Sequence, residues 1–160
     1  MSVEQSGLVT PGHLASWTTD GVVQDSGFSY SNSYGLLSSV VQNINFNATN
    51  TDNPIPINLP AGYTRYRIQN ILISGATHDI STATCGVFTA TAAGGTPVVT
   101  TGTAITVTQT AGDTNHNLQS LSINDQDTMF FIDTVLYFRV QTPESAAALA
   151  NVAIFYQPLP

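Results

Sequence analysis

From Leu36 onward, short runs of β-branched and aromatic residues are separated by turn clusters at fairly even spacing, the pattern of an antiparallel sandwich or barrel. The cleanest run is "AITVTQT", where Ile105 and Val107 share one face and Thr106, Thr108 and Thr110 the other. In "VLYFRVQ" the same period turns Leu136, Phe138 and Val140 inward. It leaves Val135, Tyr137 and Arg139 on an outer face suited to contact with a second surface. Strands are predicted over residues 39–46, 55–59, 66–74, 85–91, 104–109, 118–122, 129–132, 135–141 and 152–157. The clusters "NTDNP" (50–54), "LPAGY" (59–63), "AAGGTP" (92–97) and "TAGDTN" (110–115) supply the turns. "PESAAALA" (143–150) fits either about two helical turns opened by proline or a loop between the last two strands.

The first 36 residues read differently: glycine and serine recur every few positions and no amphipathic period persists. The expected organisation is an extended arm over 1–36 and a body over 37–160. "TTDG" and "QDSG" are turn signals, because Asp bonds its own backbone and Gly21 and Gly27 tolerate positive φ. Val22 and Val23 form a strand only by pairing with something already ordered. The fold class is all-β, an antiparallel β-sandwich, jelly-roll-like, preceded by that arm; strand count alone does not separate jelly-roll from immunoglobulin-like connectivity.

Composition sharpens this. Hydrophobic residues make up 42% of the 160 and charged residues 8%, so apolar positions are interleaved with Thr, Ser and Asn, as on half-buried sheets. There is no lysine. Arg65, Arg67 and Arg139 face ten acidic residues for a net charge of -7, which excludes a nucleic-acid partner by repulsion of phosphate. No apolar run reaches the roughly 20 residues a membrane helix needs, so no membrane partner is expected. The start "MSVEQSGLVTPG" lacks a basic region and an apolar core, so synthesis in a cytosol is expected.

Chemistry is sparse. G-x-S-x-G, P-loop, dinucleotide and H-E-x-x-H motifs are absent, and no cofactor is expected. Cys85, the single cysteine, reads as a small buried hydrophobe without a base nearby. His78 with Asp79, or His116 with Asp113, could hold a metal, but solvated loop residues are the preferred reading. Asp125 and Asp127 in "NDQDT" lack the other ligands of a calcium loop and read as a turn, as does the sequon at Asn47. No paired-carboxylate motif supports a depolymerase, so a non-enzyme is expected. Arg65 and Arg67, two apart, share one strand face with Tyr63 and Tyr66 close by. With Tyr137 and Arg139 they are candidates for a subunit or glycan contact, solvated side chains being the alternative.

Trp17, the only tryptophan, lies in the glycine-punctuated arm. It either folds back on its own domain or docks on another subunit, and docking is preferred because tryptophan is a frequent interface anchor. Phe28, Tyr30 and Tyr34 either stack on a partner or cover the open end of the sandwich.

The segment "PGHLASWTTDGVVQDSG" resembles the G-H-x-A-x-W/F-x-x-x-G-x-x-x-D-x-G stretch near the amino terminus of tailed-bacteriophage fibre and head-decoration proteins. "CGVFTATAAGGTPVV" and "TVLYFRVQTPESAAALANVAIFYQPLP" resemble the β-sandwich that follows it. The resemblance implies a virion component made in the host bacterial cytoplasm. It would be a homotrimer projecting from the capsid or the neck or tail, bound to other virion proteins through His13, Trp17, Asp20, Gly21, Asp25 and Gly27, with Phe28 and Tyr30 beside them. Many tail fibres continue into a shaft and a receptor-binding tip, whereas this chain stops after one domain. That favours a capsid decoration or short head fibre; the alternative is a neck or tail fibre or adaptor whose sandwich binds a host glycan.

Overall fold

The computed structural model describes residues 36–109, 118–124 and 129–159 in full and residues 13–17 and 23–29 as backbone strands. Two compact units result, one within residues 1–35 and the other Leu36–Leu159.

In the first unit, β1 (His13–Trp17) pairs antiparallel with β2 (Val23–Ser29), with Trp17 opposite Val23 and an irregularity between His13 and Ala15. The segment expected to be merely extended therefore contains a paired strand, and the partner that Val23 needs is supplied by the arm itself.

Among its described residues the second unit has eight strands: β3 (Leu37–Asn45), β4 (Asp52–Pro56), β5 (Arg65–Ser74), β6 (Thr84–Phe88), β7 (Pro97–Ala104), β8 (Gln119–Ser120), β9 (Val135–Thr142) and β10 (Leu149–Leu159). They form two four-stranded sheets, ordered β3-β10-β5-β8 and β4-β9-β6-β7, with every pairing antiparallel. The first strand pairs with the last, the second with the second-last, and so inward to the β6–β7 hairpin. Every other connection crosses between sheets. This is the jelly roll, a long double ribbon wound into a sandwich.

Period-two burial explains most of the strands. Along β9, Leu136, Phe138 and Val140 are fully buried, as their alternation demands. Along β5, Tyr66 and Ile68 face inward, but so do Ile71 and Ile73, which a strict period would turn outward. The register slips between Phe155 and Tyr156 of β10, so Gln69 is an extra residue and the bulge restores the facing. Phe46 and Phe138 meet at 5.7 Å between ring centroids, joining the sheets. Each such buried apolar side chain contributes about 1.5–3 kcal/mol. Pro54 and Pro56 lie in β4, which is an edge strand, where a missing N–H costs little.

Several expected boundaries are corrected. Residues 104–109 do not form a ladder strand: Ile105 and Val107 are buried and Thr106 and Thr108 exposed, but the strand lies upstream in β7. The segment is tied instead by Ile105 N–H to Ala83 O, Ile80 N–H to Val107 O, and Thr106 N–H to Gln119 Oε1. Its alternation reports facing toward the core, which does not require a paired neighbour. Residues 129–132 contribute a single bridge, Phe131 to Tyr66. The strand expected at 55–59 sits at Asp52–Pro56, that at 85–91 ends at Phe88, and β10 starts earlier, at Leu149. Residues 143–148 form a bent loop, not a helix.

That loop carries Glu144, only 6% exposed. Its Oε1 accepts the N–H of Thr82 at 2.7 Å, the Thr82 hydroxyl at 2.8 Å and the N–H of Ala83 at 3.1 Å. Its backbone N–H donates to Phe46 O, and its carbonyl accepts from Asn47 Nδ2. Three sheet-crossing loops are thereby fastened at one end of the sandwich. Glu144→Ala would leave the buried Ala83 N–H without its acceptor and release the exposed Thr82 segment, and is expected to cost about 1–3 kcal/mol; Glu144→Gln, which keeps an acceptor in place, should cost about half of that by urea denaturation.

Candidate functional site

The opposite end of the body is open. Here the 57–64 connection and the residues before β9 frame a groove of about 590 Å³, lined by Ile57, Asn58, Leu59, Tyr63, Thr64, Ile132 and Thr134. A smaller depression of about 270 Å³ lies across Met129–Asp133, against Thr89 and Thr96. Ile132 is 69% exposed and Phe130 54%, while Phe131 between them is buried. The Arg65 guanidinium carbon stands 5.5 Å from the centre of the Phe130 ring.

Buried tyrosines form the framework beneath this end. Tyr156, buried near the end of β10, has its hydroxyl between Asn58 N–H (3.1 Å) and Asn58 O (3.2 Å), clamping the start of the 57–64 connection. Tyr66 stacks edgewise on Tyr156 at 5.5 Å and lies 5.9 Å from Phe131. Burial, reinforced by the charge of Asp133 and by Tyr156, pushes the Tyr66 phenol above its ordinary range.

The candidate contact residues separate in space. Arg65 and Arg67 lie on the outer face of β5, but Tyr66 is wholly buried in the core and cannot share a surface with them. Tyr63 lines the groove. Tyr137 and Arg139 belong to the other sheet, and Arg139 is already engaged: its Nη1 donates to Asp52 Oδ1 at 2.7 Å. Side chains of His13, Trp17, Asp25, Gly27 and Phe28 lie outside the described residues, as do Asp20, Gly21, Tyr30 and Tyr34 altogether. So do His116, Asp113, Asp125 and Asp127. Among the described residues no three His, Cys, Asp or Glu side chains come together as metal ligands. His78 is exposed and meets the Thr77 hydroxyl, and Asp79 caps Ser81 N–H at 2.8 Å, a local turn.

The sequence reading missed Phe130 and Ile132. The signal was available: "MFFI" places four apolar residues in succession, and an extended segment can bury only alternate ones. It also missed Asp52, whose Oδ2 accepts Ala92 N–H at 2.9 Å. This bond holds a hairpin turn in which Ala92 and Ala93 both have positive φ (58° and 59°), a conformation that costs roughly 1–2 kcal/mol per residue.

Chemically, the open end offers an apolar floor, one tyrosine and a rim of amide and hydroxyl groups. That suits docking of a chain segment or the face of a sugar. Cys85 is fully buried on β6, and burial raises its thiol to about 12. Among the described residues no helix is long and apolar enough to cross a membrane. No family model, curated protein or solved structure matches the chain.

Two measurements check this geometry. Burial raises the Asp52 carboxyl, but the Ala92 N–H and the bond and charge of Arg139 outweigh it, leaving the group below its ordinary value. Its stabilisation is therefore complete above the unfolded aspartate value of about 4 and is lost as pH falls through the lower folded value. Asp52→Asn should reduce stability by about 1 kcal/mol at pH 7, and the gap to wild type should close in acid. Cys85 should resist a disulfide reagent in the native protein and react stoichiometrically once unfolded.

Proposed function

We propose that this chain is a non-enzymatic structural subunit of a tailed-bacteriophage particle, a capsid decoration or short head fibre that is anchored by its N-terminal segment and projects a trimeric jelly roll. The observation that carries the reading is the division of the chain. The stretch holding the phage-like "PGHLASWTTDGVVQDSG" segment belongs to a unit of its own, and Leu36–Leu159 forms a second unit whose described core runs from Ile44 to Tyr156. In this reading the N-terminal unit is the part that meets another protein's surface. The jelly roll fits this role, since it recurs in viral capsid domains, although it also serves lectins, and fold by itself does not assign function.

A second reading has its own support. The open groove with Tyr63 beside Asn58 and Thr64 has the apolar and hydrogen-bonding mixture that a sugar ring requires, which favours a neck or tail adaptor that adsorbs to host glycan. Silence of the protein on a bacterial glycan array removes this alternative.

The main reading is tested on particles lacking the protein. Full-length chain should bind them, and gold-labelled antibody should then mark heads rather than necks or tails. Removing residues 1–35 should leave a folded body that no longer binds. Trp17→Ala should weaken binding by about 2 kcal/mol, roughly thirty-fold. Binding by the truncated body would overturn the anchoring role, and unfolding of the truncated body would overturn the two-unit organisation on which it depends.

A further inference from the structure

The connection between β6 and β7 does not continue in the plane of its sheet. β6 ends at Phe88, level with Tyr137 of β9, and runs toward the end of the sheet where Pro56 of β4 stands opposite Val135. Yet Ala92, further along the chain, donates its N–H to Asp52 Oδ2 at 2.9 Å, and Asp52 lies back at the level of Arg139 and Gly86. Leu136, Phe138 and Val140 of β9 and Ile55 of β4 face the core, so Arg139 and Asp52 face outward. Residues 89–96 therefore fold back across the exterior of β9 to reach the edge strand β4.

Phe88 lies in the path of this return. Its ring stands over Gly86, where an added Cβ would be only 2.7 Å away, and it is 2% exposed although it lies outside the core cluster. The returning segment itself is lightly held. None of residues 89–96 is buried, and among the described residues the bond from Ala92 to Asp52 is the one hydrogen bond that joins 90–95 to the rest of the body. The other bonds are internal: Ala90 N–H to Gly94 O, Gly94 N–H to Thr91 O, and at the base Thr89 N–H to Thr96 O and Thr96 N–H to Thr89 Oγ1. The Gly94–Thr91 bond, with positive φ at Ala92 and Ala93, marks a type I′ turn, whose two central positions favour Asn-Gly. Alanine is strained at both.

We propose that residues 89–96 are a flap, hinged at Thr89 and Thr96 and latched by Asp52 over Phe88, and that releasing the latch opens the flap and uncovers the ring. Strain and latch oppose each other. Strained backbone persists only where its surroundings over-determine it, and here one carboxylate supplies that restraint. Its Oδ2 takes the Ala92 N–H while its Oδ1 is held by Arg139 Nη1 at 2.7 Å, so Arg139 fixes the direction in which the latch points. A segment with no buried residue and one outside bond belongs to the least stable part of a fold, so it opens while the sheets stay closed. The hinge threonines also wall the depression beside Phe130 and Ile132. The ring that the flap uncovers, next in sequence to Thr89, therefore adjoins the apolar surface of the open end.

The test is hydroxyl-radical footprinting of the full-length protein, read by mass spectrometry at Phe88, with the core residues Phe46 and Phe138 as internal references and circular dichroism as the check on folding. Asp52→Ala should keep the wild-type spectrum and raise oxidation of Phe88 by roughly tenfold, while Phe46 and Phe138 stay at their wild-type level. Adding Ala92→Asn with Ala93→Gly to that variant relieves the strain and should return Phe88 most of the way to wild type. The same double substitution in a chain that keeps Asp52 should lower Phe88 oxidation below wild type, a result that does not depend on how well the Asp52 variant folds. Phe88 that stays protected in a folded Asp52→Ala protein overturns the flap as its cover. Oxidation that rises equally at Phe46 and Phe138 reports opening of the sandwich as a whole and overturns the hinge. A double substitution without effect at Phe88 in both backgrounds overturns the opposition of strain and latch.

Discussion

The burial of Glu144 is the constraint on which the closed end of this sandwich depends. In a jelly roll nearly every connection must leave one sheet and enter the other, and the crossing segments expose backbone groups that no ladder satisfies. Here one carboxylate oxygen takes three donors from the 82–83 segment, while the backbone of the same residue bonds the 46–47 segment. A buried acceptor that satisfies so many donors is favourable only when all of them are present, because each group is costly if left unpaired. Residue 144 thereby ties the 46–47 and 82–83 segments to its own loop.

The other end follows a different rule. Its clamp is Tyr156, which holds Asn58 from inside, and beyond that clamp the chain leaves Phe130 and Ile132 in solvent around a groove. One end is sealed by hydrogen bonds, and the other keeps apolar surface available.

The composition and the fold meet in the outer faces of the strands. Thr, Ser, Asn and Gln replace the Lys and Glu common on sheet exteriors, and the net charge of -7 comes from ten acidic residues against three arginines. With Cys85 buried and no second cysteine, cohesion comes from packing and from polar ties such as those of Glu144 and Tyr156 rather than from cross-links.

The sequence by itself determined that the chain is all-β, which residues of β9 enter the core, and that residues 104–109 alternate between core and solvent. Those features follow from side chains pointing to opposite faces at a period of two, which is a local property. Only the tertiary structure decided which strands pair. Hydrogen-bonding partners of a strand are chosen by winding across tens of residues, so 104–109 alternates faithfully without joining a ladder, and 129–132 contributes one bridge. Tertiary structure also decided the bulge at Gln69, which lets Ile71 and Ile73 face inward with Tyr66 and Ile68, and the engagement of Arg139 by Asp52 from another strand. The candidate cluster of tyrosines and arginines fails as a surface on both counts: alternation along β5 already turns Tyr66 away from Arg65 and Arg67, and the winding of the chain puts Tyr137 and Arg139 on the other sheet, which no local period reports.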